Sequence, residues 1–368
     1  MRSRSSTKRS LRLLESIVSS AAQLPSCPCT LGNLMARPIS YRQDCISLHL
    51  GPGSINTACI HGQRRSQCGS GSSQSQLTRQ RSRVPSPRKL MAPAADYCHD
   101  FHGSEVPHVP IFPLMAKGHT VPLLDLACLL RHRGLAAVTF LTTPGNASFV
   151  RASLAGDDAA SVVELPFPAG HAPAGGESAE GVTSTSSFAA FAEATSPLRP
   201  RLEQVLAAMR PPVDLLVADG FLYWAHASAA ALGVPTVSFL GTSAFAHAVR
   251  EACVRDKLGA SAQRDDDADA STGMYTVPEF PHLQFSLADL VPPPLPLMEL
   301  DAKMAAGVAA GHGLIMNTFR DLVDRYVEHW NRHIGPRAWP IGPLCLARQS
   351  SSSSRWVSRS VSKVGERW

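Results

Sequence analysis

The chain has 368 residues, of which 44% are hydrophobic and 17% are charged, a composition typical of a globular protein with one or two domains. Its net charge of +6 is an average of two unlike segments, because residues 1–90 carry +12 and residues 91–368 carry −6. The acidic body gives no reason to expect nucleic acid as a partner. No stretch of the sequence approaches the ~20 apolar residues needed to cross a bilayer, so we expect no membrane span.

Residues 1–90 show no sustained helical or strand period, and Ser, Arg, Gln, Gly and Pro dominate residues 62–87. We therefore expect a disordered basic extension that packs against nothing. Its Arg- and Ser-rich start is typical of an organelle transit peptide. Untranslated sequence read as protein is the alternative, and we favour it because Met91 opens a short polar lead into a first strand. A third hypothesis, resting on composition alone, is a basic tract that binds an acidic partner.

The nine cysteines indicate neither a disulfide framework nor a metal site. Five lie in the basic tract, and the four in the body have no paired spacing. Cys27 and Cys29 are too close for the usual zinc knuckle, and no matching Cys/His pair follows. We expect a reduced, cytoplasmic protein, or a plastid or mitochondrial one if residues 1–90 are a transit peptide.

From residue 106 onward, short apolar runs alternate with longer amphipathic ones. The predicted strands are 109–114, 136–142, 161–165, 214–219, 235–240, 314–318 and 339–341. The predicted helices are 120–132, 146–154, 188–209, 223–232, 244–258 and 322–333. Loops are predicted over 168–186 and 259–273, and a Pro-rich extended stretch over 290–297. This alternation predicts an α/β fold, a Rossmann-like doubly wound parallel sheet with both faces covered.

Two polar residues stand out at the carboxyl ends of predicted strands: His119 in MAKGHTVP and Asp219 in LLVADGF. Ligands of open parallel sheets bind outside those strand ends, where the strand order reverses. In the order 3-2-1-4-5, strands one and four flank that crevice. We therefore expect the His119 ring to lie within hydrogen-bond reach of the Asp219 carboxylate, although the two residues are far apart in the sequence.

A histidine backed by a carboxylate is suited to general-base catalysis, because the carboxylate fixes the tautomer and stabilises the imidazolium. Gly118 allows close backbone approach, and the helix predicted from Thr120 would point amide groups at the crevice. The alternatives are an exposed or capping histidine and an aspartate that only caps a helix.

Other candidate motifs are weaker. Gly241-Thr242-Ser243 is not followed by the GK of a P-loop, Ser243 lacks the G-x-S-x-G frame of a hydrolase, and no G-x-G-x-x-G follows the first strand. His226 and His247 are expected to be packing residues within helices. Four aromatic residues fit an apolar pocket or an ordinary core equally well: Phe221, Tyr223, Trp224 and Phe245.

Three segments together resemble plant family-1 UDP-dependent glycosyltransferases. HVPIFPLMAKGHTVPLLDLACLL resembles their first strand, loop and helix. VDLLVADGFLYWAHASAAALGVPTVSFLGTSAF resembles their fourth and fifth strands, and GLIMNTFRDLVDRYVEHW with RAWPIGPL resembles their last strand and helix before the interdomain linker. The resemblance covers residues 107–346 and implies a GT-B fold, with residues 91–348 as its N-terminal, acceptor-binding domain and residues 349–368 as a Ser/Arg-rich tail outside it.

The resemblance implies inverting transfer of a sugar from a UDP-sugar to a hydroxyl of a small-molecule acceptor. His119 corresponds to the family's catalytic base and Asp219 to its acidic partner. Gly118, Phe221, Thr242 and Phe245 fall where family members contact acceptor or sugar. No metal and no cofactor beyond the UDP-sugar co-substrate is implied, and we expect a monomer.

The family's signature for the nucleotide sugar has no counterpart after Leu346. We therefore expect a truncated enzyme, weakly active or inactive as written. A non-catalytic acceptor-binding fragment is the alternative.

Overall fold

In the computed structural model, the described residues are 12–20, 106–154, 161–173, 175–256, 274–286 and 293–348. The strands are β1 (His108–Phe112), β2 (Ala137–Thr142), β3 (Ser161–Glu164), β4 (Leu216–Asp219), β5 (Thr236–Leu240), β6 (Met274–Thr276), β7 (Gln284–Ser286), β8 (Leu314–Met316) and β9 (Ala338–Pro340). The helices are α1 (12–20), α2 (Lys117–His132), α3 (Pro144–Ser153), α4 (Thr185–Glu193), α5 (Arg199–Ala208), α6 (Trp224–Ala231), α7 (Ala244–Arg255), α8 (Leu295–Ala310) and α9 (Arg320–His333).

Seven strands form one parallel sheet in the order β3-β2-β1-β4-β5-β8-β9. The chain moves outward from β1 to β3 and then returns to pair β4 with the other side of β1, so the strand order reverses between β1 and β4. This confirms the predicted α/β class and the doubly wound order. A small antiparallel hairpin, β6 with β7, was not predicted.

Alternate strand residues point to opposite sides of the sheet, and helices cover both sides. On one face, Ile111 and Phe140 belong to a cluster that also contains residues of α2 and α3. On the other face, their neighbours Phe112 and Leu141 join a cluster with α4, α5 and α6. Strands covered on both faces need continuous apolar sequences, and every residue of β1, β4 and β5 is buried.

The single helix predicted over 188–209 is wrong. The segment forms α4, a short 3-10 turn at Ser196–Leu198, and α5. Pro197 and Pro200 explain the break, since proline has no amide hydrogen to continue a helix but fits the first turn of the next one. The two helices pack against different partners, α4 against α8 and α5 against α6.

The extended stretch predicted over 290–297 is also partly wrong, because α8 begins at Leu295. Pro294 is the N-cap of α8 and Pro296 lies in its first turn, where the lack of an amide hydrogen costs nothing. The Pro-rich run therefore marks the start of a 16-residue helix that sequence inspection missed.

The expectation that residues 1–90 are disordered and pack against nothing is wrong for residues 12–20. These residues form α1, and its Leu13, Leu14 and Ile17 are at most 1% exposed within the same hydrophobic cluster as Ile111. The physical reason is a short apolar stripe that the surrounding Arg and Ser residues obscured. The loop expected over 259–273 and the tail over 349–368 lie outside the described residues.

None of the described helices is long and apolar enough to cross a membrane. Within the same residue ranges, no three His, Cys, Asp or Glu side chains come together as a ligand set for a metal ion.

Candidate active site

His119 lies just beyond the carboxyl end of β1, in the first turn of α2. The helix begins at Lys117 rather than at the expected Thr120, so His119 is part of the helix and not of the loop before it. Among the free amides of that first turn, the Lys117 amide donates to Glu180 Oε1 at 2.8 Å. A carboxylate of the protein thus occupies part of the helix N-terminus that was expected to face a ligand.

Asp219 is the last residue of β4, which pairs directly with β1. The next residue, Gly220, lets the chain turn beside β5, since a Cβ there would lie 2.5 Å from the end of the Leu240 side chain. The Asp219 side chain is anchored locally, because its Oδ1 accepts a hydrogen bond from the Phe221 amide at 3.1 Å. This bond leaves Oδ2 available to a residue that follows β1.

The predicted pairing of His119 with Asp219 is confirmed in its geometry. The distance from His119 Nδ1 to Asp219 Oδ2 is 2.8 Å, although 100 residues separate the two in sequence. Both residues are buried, with 6% of His119 and 1% of Asp219 exposed. Both also lie at the carboxyl edge of the one parallel sheet, where the strand order reverses.

This contact determines which ring nitrogen carries the proton. An ionised carboxylate only accepts hydrogen bonds, so in the neutral imidazole the proton is on Nδ1 and a lone pair is on Nε2. His119 Nε2 is buried and has no hydrogen-bond partner among the described residues. A buried polar atom without a partner is uncommon and often marks a functional group.

The electrostatics of His119 favour proton uptake. Burial acts to lower the pKa of the imidazole, but the charge of Asp219 and the hydrogen bond to it outweigh burial and raise the pKa above its ordinary 6.5. A raised pKa makes the imidazole a stronger base, so it has a higher affinity for the proton of a bound hydroxyl.

Two aromatic rings enclose the imidazole. The Phe221 ring packs edge-on against His119 with centroids 5.4 Å apart, and the Phe188 ring is roughly parallel to His119 at 6.5 Å. The two phenylalanines also contact each other at 5.2 Å. Phe221 was singled out in the sequence, whereas Phe188 was missed because it comes from α4, whose position over the sheet no local motif indicates.

The remaining predicted site residues are distributed around this centre. Gly118 is exposed and precedes His119 directly. Thr242 follows β5 on the same sheet edge, and its hydroxyl lies 2.6 Å from His247 Nε2. Phe245 packs against Tyr326, with ring centroids 5.3 Å apart, in the cluster that contains α7 and α9. The structure thus brings Gly118 and Phe221 to His119 and gives Thr242 and Phe245 other neighbours.

Comparison with known proteins identifies the family. The chain is 33% identical over 267 residues to UDP-glycosyltransferase 90A1 of Arabidopsis thaliana, an alignment that covers 68% of this chain and 55% of the relative. It is 32% identical over 252 residues to the anthocyanin 3'-O-beta-glucosyltransferase of Gentiana triflora, covering 65% of this chain and 50% of that protein. The chain belongs to the plant UDP-glycosyltransferases. It spans about half the length of these curated relatives.

Two solved structures share the fold. The crystal structure of Glycyrrhiza uralensis UGT73P12 complexed with glycyrrhetinic acid 3-O-monoglucuronide has a TM-score of 0.56 and 24% identity, covering 67% of this chain and 51% of that one. The structure of TcCGT1 in complex with UDP has a TM-score of 0.51 and 18% identity, covering 70% of this chain and 55% of that one. No protein-family model matches the sequence.

Proposed function

We propose that this plant UDP-glycosyltransferase chain supplies the acceptor-activating part of an inverting sugar transfer from a UDP-sugar to a hydroxyl of a small molecule. One observation carries the proposal: a buried imidazole has its Nδ1 hydrogen-bonded to Asp219 at 2.8 Å and its Nε2 without a partner. That arrangement leaves one basic lone pair in a mostly apolar surrounding, where a hydroxyl of a bound acceptor would be its hydrogen-bond donor.

In the proposed reaction, His119 Nε2 takes the hydroxyl proton of the acceptor as the oxygen attacks the anomeric carbon. The bond from that carbon to the diphosphate oxygen breaks, UDP leaves with the electron pair, and the configuration inverts. Asp219 accepts a hydrogen bond from Nδ1–H throughout and stabilises the imidazolium formed in the transition state. A UDP-sugar is the co-substrate, and the scheme calls for no cofactor because His119 provides the base and UDP is a stable leaving group.

The acceptor would lie against the aromatic pair Phe188 and Phe221, since both rings border the imidazole. An aromatic wall favours a flat or apolar acceptor body and leaves the hydroxyl as its main polar feature. Gly118 would admit the acceptor close to the backbone. Thr242 and Phe245 are proposed as more distant contacts on the same sheet edge. The names of two relatives, an anthocyanin and a scopoletin glucosyltransferase, agree with hydroxylated aromatic acceptors.

The proposal is tested with a chimera. In this chimera, the part of UDP-glycosyltransferase 90A1 that does not align with this chain is joined after Leu346. The chimera receives UDP-glucose and a panel of phenols, and glucoside and UDP are measured together. We expect turnover in the chimera, acceptor binding with little turnover in the chain alone, and loss of turnover with retained acceptor binding in His119→Ala. Full turnover by the His119→Ala chimera would refute the proposed base.

The alternative, a non-catalytic acceptor-binding fragment, makes a different prediction for the same experiment. Phenols would bind to the chain and to the chimera, but glucoside would not form in either. Turnover in the chain alone that depends on His119 would instead show that the charge stabilisation on the departing diphosphate comes from within this chain.

A further inference from the structure

The N-terminal helix α1 presents a single apolar face. Leu13 and Leu14 are at most 1% exposed, and Ile17 follows one turn later on the same face with the same burial. Arg12, which precedes them, and Glu15, between Leu14 and Ile17, are exposed. Apolar residues at spacings of one, three and four are the pattern of an amphipathic helix that packs on a larger surface.

That larger surface is one face of the central sheet with its covering helices. Leu13, Leu14 and Ile17 belong to the same hydrophobic cluster as residues of β1, α2 and α3. The cluster also includes Leu344 and Ala347, from the 3-10 segment Leu344–Arg348 that packs against α2. The segment from the basic extension and the last described segment of the body thus contribute to a single core.

Burial against the body also explains why α1 is helical. A helix of nine residues is too short to be stable alone in water, because the free-energy cost of nucleating it exceeds the stabilisation that so few turns provide. Within the helix, Ser16 Oγ donates a hydrogen bond back to the Arg12 carbonyl oxygen at 3.0 Å. Packing of the apolar face is therefore the interaction that holds residues 12–20 in a helix.

We propose that residues 12–20 are a docking helix that occupies an apolar site on the body, and that this intramolecular contact stabilises the fold around β1 and α2. The basic extension is then anchored to the body by its own first helix. Removal of that helix would expose the apolar face of the cluster and weaken the packing of α2 on the sheet. The proposal does not rest on the proposed reaction, because it is argued from the packing of α1 in this cluster and not from the His119–Asp219 pair.

The first test uses the unmodified full chain. Hydrogen exchange followed by mass spectrometry should show the amides of residues 12–20 protected at least ~10-fold relative to the same residues in a synthetic peptide, because exchange then requires undocking. Exchange at the rate of the free peptide would overturn the proposal. This measurement does not depend on any variant being able to fold.

The second test compares two carboxylate substitutions on opposite faces of α1. Leu14→Asp, on the buried face, should lower Tm by about 5 °C or more and speed exchange in both α1 and α2. Ser19→Asp, on the exposed face, should leave Tm and exchange nearly unchanged. If Leu14→Asp does not fold, Leu14→Ala is used instead, and its Tm should fall by a smaller amount. Equal behaviour of the buried-face and exposed-face variants would contradict docking.

Discussion

His119 and His226 are both buried histidines near the central strands, but their surroundings differ in one decisive way. His226 has both ring nitrogens satisfied, by the hydroxyls of Thr236 and Ser238, each at 2.9 Å. His119 has a carboxylate on one nitrogen and no partner on the other among the described residues. The first arrangement completes a polar network inside the core, whereas the second leaves a lone pair available to a ligand.

The same contrast appears in their protonation. Burial lowers the pKa of His226 to about 4, with a smaller contribution from His312. Burial acts on His119 too, but the charge and hydrogen bond of Asp219 reverse its effect and raise the pKa. Burial alone therefore does not set the direction in which a histidine pKa is shifted in this protein, because the charge of the partner can reverse it.

The largest expected effect separates the two histidines by activity. In the chimera described above, His119→Gln should lower the rate of glucoside formation by about 10²–10⁴-fold, the usual loss when a general base is removed. His226→Gln should change the rate by no more than a few fold, because both nitrogens of that ring are hydrogen-bonded to hydroxyls of the core. Rates are measured at saturating acceptor by glucoside formation, and similar losses in both variants would remove the distinction.

The next effect concerns stability at acidic pH. The folded pKa of His226 and of His247 is about 4, mainly because of burial, and lies below the unfolded value of 6.5. Between these values the unfolded chain binds the protons first, so stability is lost as pH falls from about 6.5 to about 4. Each histidine contributes up to roughly 3 kcal/mol of this loss.

Urea unfolding at pH 7.5 and pH 4.5 checks this expectation. His226→Gln should reduce the difference in unfolding free energy between the two pH values, whatever it does to stability at pH 7.5. The exposed His132→Gln is the matched control and should leave the difference unchanged. A His226→Gln variant with the full acid sensitivity of the parent would show that this residue is not buried in its neutral form.

A smaller effect, on acceptor binding, is expected from changes to the aromatic residues. Phe188→Ala removes a ring next to His119 and should weaken binding of a phenolic acceptor by about 2–10-fold, the worth of one aromatic contact. Phe245→Ala removes a ring whose neighbour is Tyr326, so its effect on acceptor binding should be smaller. Isothermal titration calorimetry with one phenol measures the dissociation constant of both variants. A larger loss of binding in Phe245→Ala than in Phe188→Ala would indicate that the acceptor binds nearer α7.

Sequence reasoning reached the central pair because strand alternation predicts a parallel sheet, and the carboxyl ends of its first and fourth strands must then meet. It failed where a proline could either end a helix or begin one. Pro197 and Pro200 split one predicted helix into two, while Pro294 and Pro296 begin a helix in a stretch expected to be extended. Proline has the same local chemistry in both places, and only tertiary packing decides whether a helix stops or starts there.

Two further features depend on contacts that no local pattern reveals. Phe188 lies next to His119 because of where α4 packs, and no local motif in the sequence indicates that position. Residues 12–20 are helical because the body offers them an apolar face, although the composition of residues 1–90 indicates disorder. Composition averages over long windows, so a stripe of three apolar side chains is lost in it.

Nuclear magnetic resonance of the histidine rings can measure whether Asp219 increases the basicity of His119. Titration of ¹⁵N-labelled protein should show His119 protonated at Nδ1 in its neutral form, with a pKa above 6.5, while His226 titrates near 4. In Asp219→Asn, burial acts without the opposing charge, so the His119 pKa should fall below 6.5. A His119 pKa that is already below 6.5 in the unmodified chain, or that does not change in Asp219→Asn, would contradict the account.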